Sequence, residues 1–315
     1  AVVRAIVPNA NKTSQYKDQD MPWTSPAPVK FVNCADADPN FINSGSGKTK
    51  IRVLNMRANL RIWLLVGGKR APRPQAKTTV LQMDPKHAAE PMYRRLARTR
   101  DPSQMVLMWT SARAEGQSVK FGLSPGHYTR RLKPVSSTYG RMDLCGAPAR
   151  TEGWWMPGWQ HRALLKLPVA GGVGRHPVYY RVGSDKDGWT DEAVFLSPPA
   201  VGPNQPVSIL VTADVGATEP DGFQTHWSGD AMVPPVEEAA RYNTSSHGYT
   251  DEMEAKNTWR HLGNTVRRST QVWVAAHSRG AKSSASSSAP PYDLVMHYGD
   301  LSYAAGWLAK WELYM

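Results

Sequence analysis

The sequence predicts a loop-rich β protein that passes, towards its C-terminal end, into a layer of alternating strands and helices. Three observations support this fold class. The chain contains 25 Gly and 25 Pro residues, which argues against a helical bundle. Short runs of β-branched and aromatic residues recur between turn signals over roughly the first 200 residues. After them, two continuous apolar runs flank segments of helical character, which is typical of an α/β unit.

The N-terminal part of the chain is expected to form an arm and a first β domain. Residues 1–28 are polar and contain several prolines, so we predict an extended arm over the surface. The β domain is expected over 29–88. Within it, apolar and polar residues alternate from Leu54 to Leu64, which indicates a strand with one buried face.

A small antiparallel β-sandwich is expected over 89–200. Turn signals separate its predicted strands, which are Met105–Trp109, Ser118–Phe121 and Val178–Val182. The Trp-rich segment 154–159 has two interpretations. We interpret it mainly as core and inter-domain packing, because tryptophan carries a large apolar area. The alternative is a stacking platform for bases or sugars.

The segment 205–315 has a different character and predicts an α/β layer. It follows a proline-rich linker at Pro198–Pro203. Its elements are two apolar strands, Val207–Val211 and Tyr292–His297, with helices between them at 232–242 and 250–262. Because the strands are apolar throughout, we expect both of their faces to be covered. A strand, a helix and a second strand in this order imply a parallel pair.

The balance of charge favours anionic partners. The chain has 38 Lys and Arg against 26 Asp and Glu, which gives a net charge of +12 over 315 residues. Acidic polysaccharides, membrane surfaces, nucleic acids and phosphorylated substrates all match this sign. Nucleic acid ranks last as a specific partner, because the cations are scattered and no known binding motif occurs. The longest apolar run, Ile62–Val66, is too short to cross a bilayer.

Weak signals favour a secretory route. The chain starts at Ala1 without a basic and apolar leader, so we expect either a processed signal peptide or a piece of a longer protein. Glycosylation sequons occur at Asn11 and Asn243. The two cysteines, Cys34 and Cys145, exclude a disulfide scaffold and a multi-cysteine zinc site. Either they pair with each other or they are two unrelated thiols.

Two aspartates follow the predicted parallel strands and suggest a metal site. Asp214 lies in Asp-Val-Gly after the first strand, and Asp300 lies in Gly-Asp-Leu-Ser-Tyr after the second. The C-terminal ends of neighbouring parallel strands meet in the crevice where open α/β sheets bind ligands. Two adjacent carboxylates repel each other unless a cation lies between them. A hard or borderline metal ion would remove that repulsion.

These motifs resemble those of the purple acid phosphatases, which are binuclear metallophosphoesterases. The Asp-x-Gly turn at Asp214 and the Gly-Asp-x-x-Tyr segment at Asp300 are similar to the first two metal motifs of that family. Upstream segments also resemble its large plant or algal members, at 28–31, 53–58, 91–97, 101–109, 145–150, 179–185 and 303–306.

The resemblance implies a fold and a set of metal ligands. The fold would be an N-terminal β domain, a fibronectin-like β-sandwich and the first part of an α/β metallophosphatase domain, which is a four-layer sandwich. Asp214 would bind Fe(III), and Asp300 would bridge it to a divalent zinc, manganese or iron ion. Tyr303 would be the tyrosinate ligand that gives the purple colour. No catalytic residue beyond these metal ligands is assigned within this chain.

The resemblance also implies an activity, a partner and a location. A metal-bound hydroxide would attack a phosphomonoester at acidic pH, with the metals absorbing charge on the phosphoryl oxygens. The protein would be secreted or vacuolar, with no membrane span. It would form a homodimer or associate with the extracellular matrix.

Two departures from the family pattern shape the expected activity of this chain. Ala213 stands where the family normally has glycine before the first aspartate. The later Asn-His-Glu and His-x-His motifs do not occur, so we expect the chain alone to be inactive. The histidines between the two strands are interpreted as solvated or capping groups, with stray ligands as the alternative: His226, His247, His261 and His277. His297 is expected to pack in the core beneath the site.

Two functional hypotheses therefore follow from the sequence. The first is a metal-dependent acid phosphatase of which this chain carries only the first half of the metal site. The second is a non-catalytic structural or binding glycoprotein that keeps a decayed phosphatase fold. Ala213, the missing later motifs and the basic balance of charge favour the second.

Overall fold

The structure is a computed structural model, and it describes part of the chain. The described residues are 2–6, 28–33, 38, 40–48, 59, 61–66, 73–82, 89–146, 149–150, 154–167, 174–213, 266, 292–299, 301–302 and 308–314. The arrangement is mostly β-sheet, as the sequence predicts. No helix among these residues has the length and apolar character needed to cross a bilayer.

The described elements are fifteen strands and a few short helices. The strands are β1 (Val2–Ile6), β2 (Pro28–Asn33), β3 (Arg61–Val66), β4 (Arg73–Lys77), β5 (Met92–Arg98), β6 (Gln104–Ser111), β7 (Ser118–Gly122), β8 (Arg130–Leu132), β9 (Val135–Ser137), β10 (Trp159–Lys166), β11 (Pro177–Ser184), β12 (Gly188–Trp189), β13 (Ala193–Leu196), β14 (Ile209–Ala213) and β15 (Leu294–Tyr298). The helices are α1 (Phe41–Ser44), a 3₁₀ turn (Arg141–Asp143) and α2 (Leu308–Tyr314).

The first sheet has the order β2-β1-β3-β4, and all of its pairings are antiparallel. Strand β1 is therefore a central strand, whereas the sequence predicted an arm over 1–28. The Pro-rich segment that suggested an arm follows β1, while β1 itself consists of Val, Ala, Ile and one Arg. The strand expected from Leu54 to Leu64 is observed as β3 at Arg61–Val66, and most of 51–60 lies outside the described residues.

A two-sheet sandwich occupies the middle of the chain. One sheet has the order β5-β6-β10-β9 and the other β12-β11-β7-β8, with β13 also paired to β11. All of these pairings are antiparallel. If the strands are lettered in chain order as in an immunoglobulin-like sandwich, the first sheet has the spatial order A-B-E-D. The second sheet then contains C′, C, F and G. The expected sandwich architecture is confirmed.

The core of the sandwich lies between its two sheets. Strand β10 shows the underlying pattern, because its residues alternate between buried and exposed from His161 to Lys166. Both sheets contribute fully buried side chains. The core residues are Met105, Leu107, Trp109, Val119, Phe121, Ala163, Leu165, Leu167, Val178, Tyr180, Val182 and Phe195. Each large apolar side chain in such a core contributes about 1.5–3 kcal/mol by leaving water.

One histidine belongs to this core. His161 is 1% exposed, and its ring centroid lies 5.0 Å from that of Trp109. Its Nε2 lies 2.7 Å from the Ser111 hydroxyl, and its Nδ1 lies 2.8 Å from the Ser136 hydroxyl. Burial lowers the pKa of His161 to about 4, although a backbone hydrogen bond at Arg113 acts in the opposite direction. The ring is therefore neutral at physiological pH.

The Trp-rich segment packs as interpreted from the sequence. Trp154 and Trp155 are each 4% exposed. Tyr139 meets the Trp154 ring edge-on, and the Arg141 guanidinium lies over the same ring at 5.6 Å. Buried rings with these neighbours are not available as a stacking platform for bases or sugars.

Candidate metal centre

The strands that precede both predicted metal ligands form a parallel pair. Strand β14 pairs with β15 from Ile209↔Leu294 to Ala213↔Tyr298 without a register shift. The parallel pairing predicted from sequence is confirmed. Asp214 follows Ala213 in the sequence, and Asp300 follows Tyr298 after one glycine. Asp214, Asp300 and Tyr303 themselves lie outside the described residues, so their assignment as ligands stays a prediction.

Several side chains on one face of this strand pair are exposed among the described residues. The helices predicted between the two strands, at 232–242 and 250–262, lie outside those residues, so the expectation that both faces are covered stays a prediction. Side chains in register share a face, and on one face Ile209 and Val211 are 47% and 52% exposed. Met296 on the same face is 45% exposed.

Helix α2 contacts the strand pair through His297. The Tyr314 hydroxyl lies 2.6 Å from His297 Nδ1, and the two ring centroids are 5.6 Å apart. His297 is half-buried, so it is less enclosed than the core position predicted for it. The Arg95 guanidinium of strand β5 lies over the Tyr314 ring at 5.9 Å. Burial raises the pKa of Tyr314, and the charge of Arg95 acts in the opposite direction.

A buried aspartate fixes the other end of the strand pair to the sandwich. The side chain of Asp293, just before β15, is 3% exposed. Arg175 donates two hydrogen bonds to its carboxylate, from Nε and Nη2, each at 2.9 Å. The backbone N–H of Ser208, just before β14, donates a third at 2.8 Å.

Backbone hydrogen bonds complete the Asp293 clamp, by which we mean Asp293 with Arg98, Arg175 and Ser208. The Asp293 N–H donates to the Ser208 carbonyl at 2.8 Å, and Arg98 Nη2 of β5 donates to the Asp293 carbonyl at 3.0 Å. The clamp thus joins the N-terminal ends of β14 and β15 to each other and to the sandwich. Sequence reasoning missed it, although an acidic residue immediately before an apolar run was a usable signal.

Comparison with known proteins shows which family the chain is similar to. A sequence profile described as "Fn3-like domain from Purple Acid Phosphatase" matches residues 3–84. Three curated relatives from Arabidopsis thaliana match nearly the whole chain. "Probable inactive purple acid phosphatase 1" is 28% identical over 294 residues, 92% of this chain and 40% of the relative. The chain is thus similar to purple acid phosphatases over nearly its whole length.

Two further relatives are also named as purple acid phosphatases. "Probable inactive purple acid phosphatase 27" is 27% identical over 92% of this chain and 40% of its own length. "Probable inactive purple acid phosphatase 24" is 25% identical, over 96% of this chain and 42% of its own length. The chain therefore spans about two fifths of the purple acid phosphatases that it matches.

A solved structure supports the fold. The purple acid phosphatase PPD1 from yellow lupin (Lupinus luteus) seeds superimposes with a TM-score of 0.66 at 21% identity. The match covers 99% of this chain and 48% of the lupin protein. The family profile assigns the fibronectin-like description to residues 3–84, the first sheet, whereas the sequence reading attached it to the sandwich over 89–200.

The remaining predicted purple acid phosphatase features fall largely outside the described residues. These are Cys34, the sequons at Asn11 and Asn243, and the histidines at 226, 247, 261 and 277. Cys145 is an exposed free cysteine. Within the described part of the chain, no group of three or more His, Cys, Asp or Glu side chains is arranged to hold a metal ion.

Proposed function

We propose that this chain supplies the first ligands of a binuclear metal site in a protein that hydrolyses phosphomonoesters. The observation that carries the proposal is the parallel register of β14 and β15, which ends with Ala213 opposite Tyr298. In that register the sequence runs from neighbouring strand ends into Asp214 on one side and Asp300 on the other. The same edge of an open parallel sheet is where α/β proteins bind their ligands.

The donor chemistry of the three residues fits the proposed metals. Asp214 and Asp300 offer carboxylate oxygens, and Tyr303 offers a phenolate. Hard oxygen donors of this kind suit Fe(III), and a bridging Asp300 would serve a divalent zinc, manganese or iron ion as well. When bound, such a metal pair supplies Lewis acidity and a water of lowered pKa.

The contribution of the chain itself is to hold the strand ends in place. Hydrogen bonding between β14 and β15 fixes the separation of their C-terminal ends. The Asp293 clamp fixes their N-terminal ends to the sandwich through Arg175 and Arg98. Ligands that are held by rigid elements lose less entropy when they bind a metal ion.

The setting that we propose follows from the same family resemblance. The substrate would be a phosphomonoester, and no specific nucleic acid is expected as a partner. The protein would be secreted or vacuolar and glycosylated at Asn11 and Asn243, and it would form a homodimer or associate with the extracellular matrix.

A non-catalytic role is the second candidate, and two observations favour it. The three curated relatives named above all carry "probable inactive" in their names. In addition, Ala213 at the end of β14 occupies the position that is normally glycine before the first metal aspartate. In this case the fold would be retained as a structural or binding glycoprotein.

Metal content and turnover distinguish the two candidates. Iron, zinc and manganese should be measured in the longest natural protein that contains this sequence, together with 4-nitrophenyl phosphate hydrolysis at about pH 5. We expect stoichiometric iron, a visible absorption band that disappears in Tyr303→Phe, and turnover that is lost in Asp300→Asn. Arg162→Gln, on the outer face of the sandwich, is the matched control and should retain all three.

Each outcome has a defined meaning. A protein without bound metal and without turnover would exclude the phosphatase and support the non-catalytic role. The 315-residue chain alone is expected to show no turnover, because it supplies only part of a binuclear ligand set. Substantial turnover by this chain would contradict that assignment of ligands.

A further inference from the structure

Three basic side chains lie side by side across one sheet of the sandwich. Arg181 of β11 is in register with Lys120 of β7, and Lys120 is in register with Arg131 of β8. We call these three residues the cationic row. Neighbouring strands are ~4.8 Å apart, so the row places three positive charges across three adjacent strands.

The cationic row faces away from the core. The residues on either side of Lys120, Val119 and Phe121, are 0% and 1% exposed. Val182, next to Arg181, is 0% exposed. Because successive side chains in a strand point to opposite faces, Lys120 and Arg181 lie on the outer face of the sheet. The Arg131 side chain is 52% exposed.

The charge of the row is only partly compensated. Arg131 forms an ion pair with Asp185, with 2.7 Å between Nη1 and Oδ2. Arg181 donates from Nε to the Thr190 carbonyl, which carries no formal charge. Among the described residues, no acidic side chain forms an ion pair with Lys120. Like charges directly opposite each other on a sheet are destabilising, so the arrangement needs an explanation other than stability.

The environment of Lys120 reflects this shortage of negative charge. Burial lowers the pKa of its ammonium group. The neighbouring Arg181 and Arg131 act in the same direction, and Asp185 acts against them. A bound anion would oppose both the repulsion and the fall in pKa.

Aromatic rings hold the row in a fixed arrangement. Lys120 Nζ lies 4.1 Å from the centroid of the Trp189 ring and 5.0 Å from that of Tyr128. The Arg131 guanidinium lies 5.2 Å from the Trp189 centroid. Long basic side chains that rest on rings lose less entropy when they bind an anion.

The two rings are themselves anchored. Trp189 Nε1 donates to Asp185 Oδ1 at 3.0 Å, and the Tyr128 hydroxyl donates to Glu192 Oε2 at 2.6 Å. Gly183 allows the Trp189 hairpin to approach, because its φ is +140° and an added Cβ would lie 2.3 Å from the Gly188 carbonyl oxygen. The site is therefore preorganised by the fold of the sheet.

We propose that the cationic row binds an acidic polysaccharide, with Arg181, Lys120 and Arg131 facing carboxylates of one polysaccharide chain. A polyuronate carries one carboxylate in each sugar unit, so a segment of several units presents an array of negative charges to the row. A nucleic acid fits less well, because Lys120 and Arg131 already occupy the Trp189 ring and leave it unable to stack on bases. This site does not depend on the proposed phosphatase activity.

Binding to polygalacturonate tests the proposal. The affinity of the 315-residue chain should be measured by calorimetry at low and at physiological ionic strength, with dextran as the uncharged polysaccharide. We expect binding to polygalacturonate and none to dextran. Lys120→Gln should weaken binding at least about threefold, and Lys120→Gln with Arg181→Gln about tenfold. The salt dependence should become shallower in both variants.

The matched control removes the same charge elsewhere. Arg162 is exposed on β10 in the other sheet, so Arg162→Gln lowers the net charge equally without touching the row. It should bind polygalacturonate as the unmodified chain does. Thermal unfolding of each variant checks that a loss of affinity is not caused by a loss of the folded structure.

Three results would overturn the proposal. The first is equal loss of affinity in Arg162→Gln and Lys120→Gln, which would indicate a non-specific effect of net charge. The second is tighter binding of polyphosphate or duplex DNA than of polygalacturonate at the same ionic strength, which would indicate a phosphate-bearing partner. The third is no binding of polygalacturonate at low salt.

Discussion

The sandwich and the β14–β15 pair are stabilised in different ways. The sandwich buries side chains from both of its sheets, and Leu107, Leu165 and Val182 are 0% exposed. In the strand pair, by contrast, Ile209, Val211 and Met296 are roughly half exposed. Among the described residues, the strand pair is joined to its surroundings by the polar clamp around Asp293 and by the Tyr314–His297 contact of α2.

The difference shows which part of the molecule depends on its neighbours. A sandwich of about 100 residues with its own core is large enough to fold alone. A two-stranded sheet is marginal by itself and needs packing against other elements. Within the described part of the chain, the region proposed to bind metal is attached to the sandwich mainly by polar contacts. Substitutions in the two regions should therefore have different effects on stability.

The largest effect is expected from the core of the sandwich. Trp109→Ala should destabilise the chain by about 4 kcal/mol, because Trp109 is 1% exposed and its truncation removes a large buried apolar side chain. The measurement is the free energy of unfolding in denaturant. Met108→Ala on the same strand is the control and should lose less than about 1 kcal/mol, since Met108 is 37% exposed. Similar losses in both variants would mean that the sandwich is not the stable body.

The next effect is local and separates the two regions. Asp293→Asn leaves the Arg175 guanidinium, 13% exposed, without its carboxylate, which should destabilise the attachment by about 3 kcal/mol. Hydrogen exchange of the β14 and β15 amides should accelerate about a hundredfold, with little change in β6 and β10.

An exposed ion pair provides the control for the clamp. Asp185→Asn breaks the pair with Arg131, whose side chains are 69% and 52% exposed, and should lose less than about 1 kcal/mol. Equal acceleration of exchange in β6 and β14 after Asp293→Asn would show that the two regions unfold as one unit.

A fall in pH should destabilise the sandwich through protonation linked to His161. The pKa of His161 is about 4 in the folded protein and 6.5 as the ordinary value, so the unfolded chain takes up the proton first as pH falls. The stabilisation is complete above about pH 6.5 and is lost progressively towards pH 4, with about 2 kcal/mol gone at pH 5. The free energy of unfolding against pH should lose this slope in His161→Gln.

An exposed histidine checks the origin of the slope. His127→Gln changes an exposed residue of the β7–β8 turn and should retain the pH dependence of the unmodified chain. If His161→Gln retains it too, other groups cause the acid destabilisation.

The smallest effect on stability is expected on the face of the strand pair that carries the exposed Val211. Val211→Thr should change the free energy of unfolding by less than about 0.5 kcal/mol, because Val211 is 52% exposed. Val119→Thr, at a position that is 0% exposed, should cost about 2 kcal/mol by burying a hydroxyl. A loss at Val211 that matches the loss at Val119 would show that the face is covered in solution.

Local patterns were enough to predict three strands of the sandwich, β6, β7 and β11. Runs such as Met105–Trp109 and Val178–Val182 combine β propensity with clear turn signals, and both lie in observed strands. Strand β1 was missed because it is only five residues long and the proline-rich sequence that follows it suggested an arm. The pairing that makes β1 a strand comes from β3, which is distant in sequence.

The candidate site was predictable to a smaller extent. The parallel order of β14 and β15 followed from a strand, an intervening segment and a second strand. An acidic residue just before β15 was visible in the sequence, but its partners Arg98 and Arg175 were not predictable, because they lie 195 and 118 residues away. The cationic row was missed for a similar reason: its register exists only once three strands have paired.

The central position of β1 has a consequence for biosynthesis. The ribosome makes β1 before its partner β3, which ends about 60 residues later. At typical translation rates that interval lasts about 3–12 s, during which β1 has at most β2 beside it. An unpaired strand edge is a template for pairing with other chains. We therefore expect a chaperone to protect nascent chains during the interval between the synthesis of β1 and that of β3.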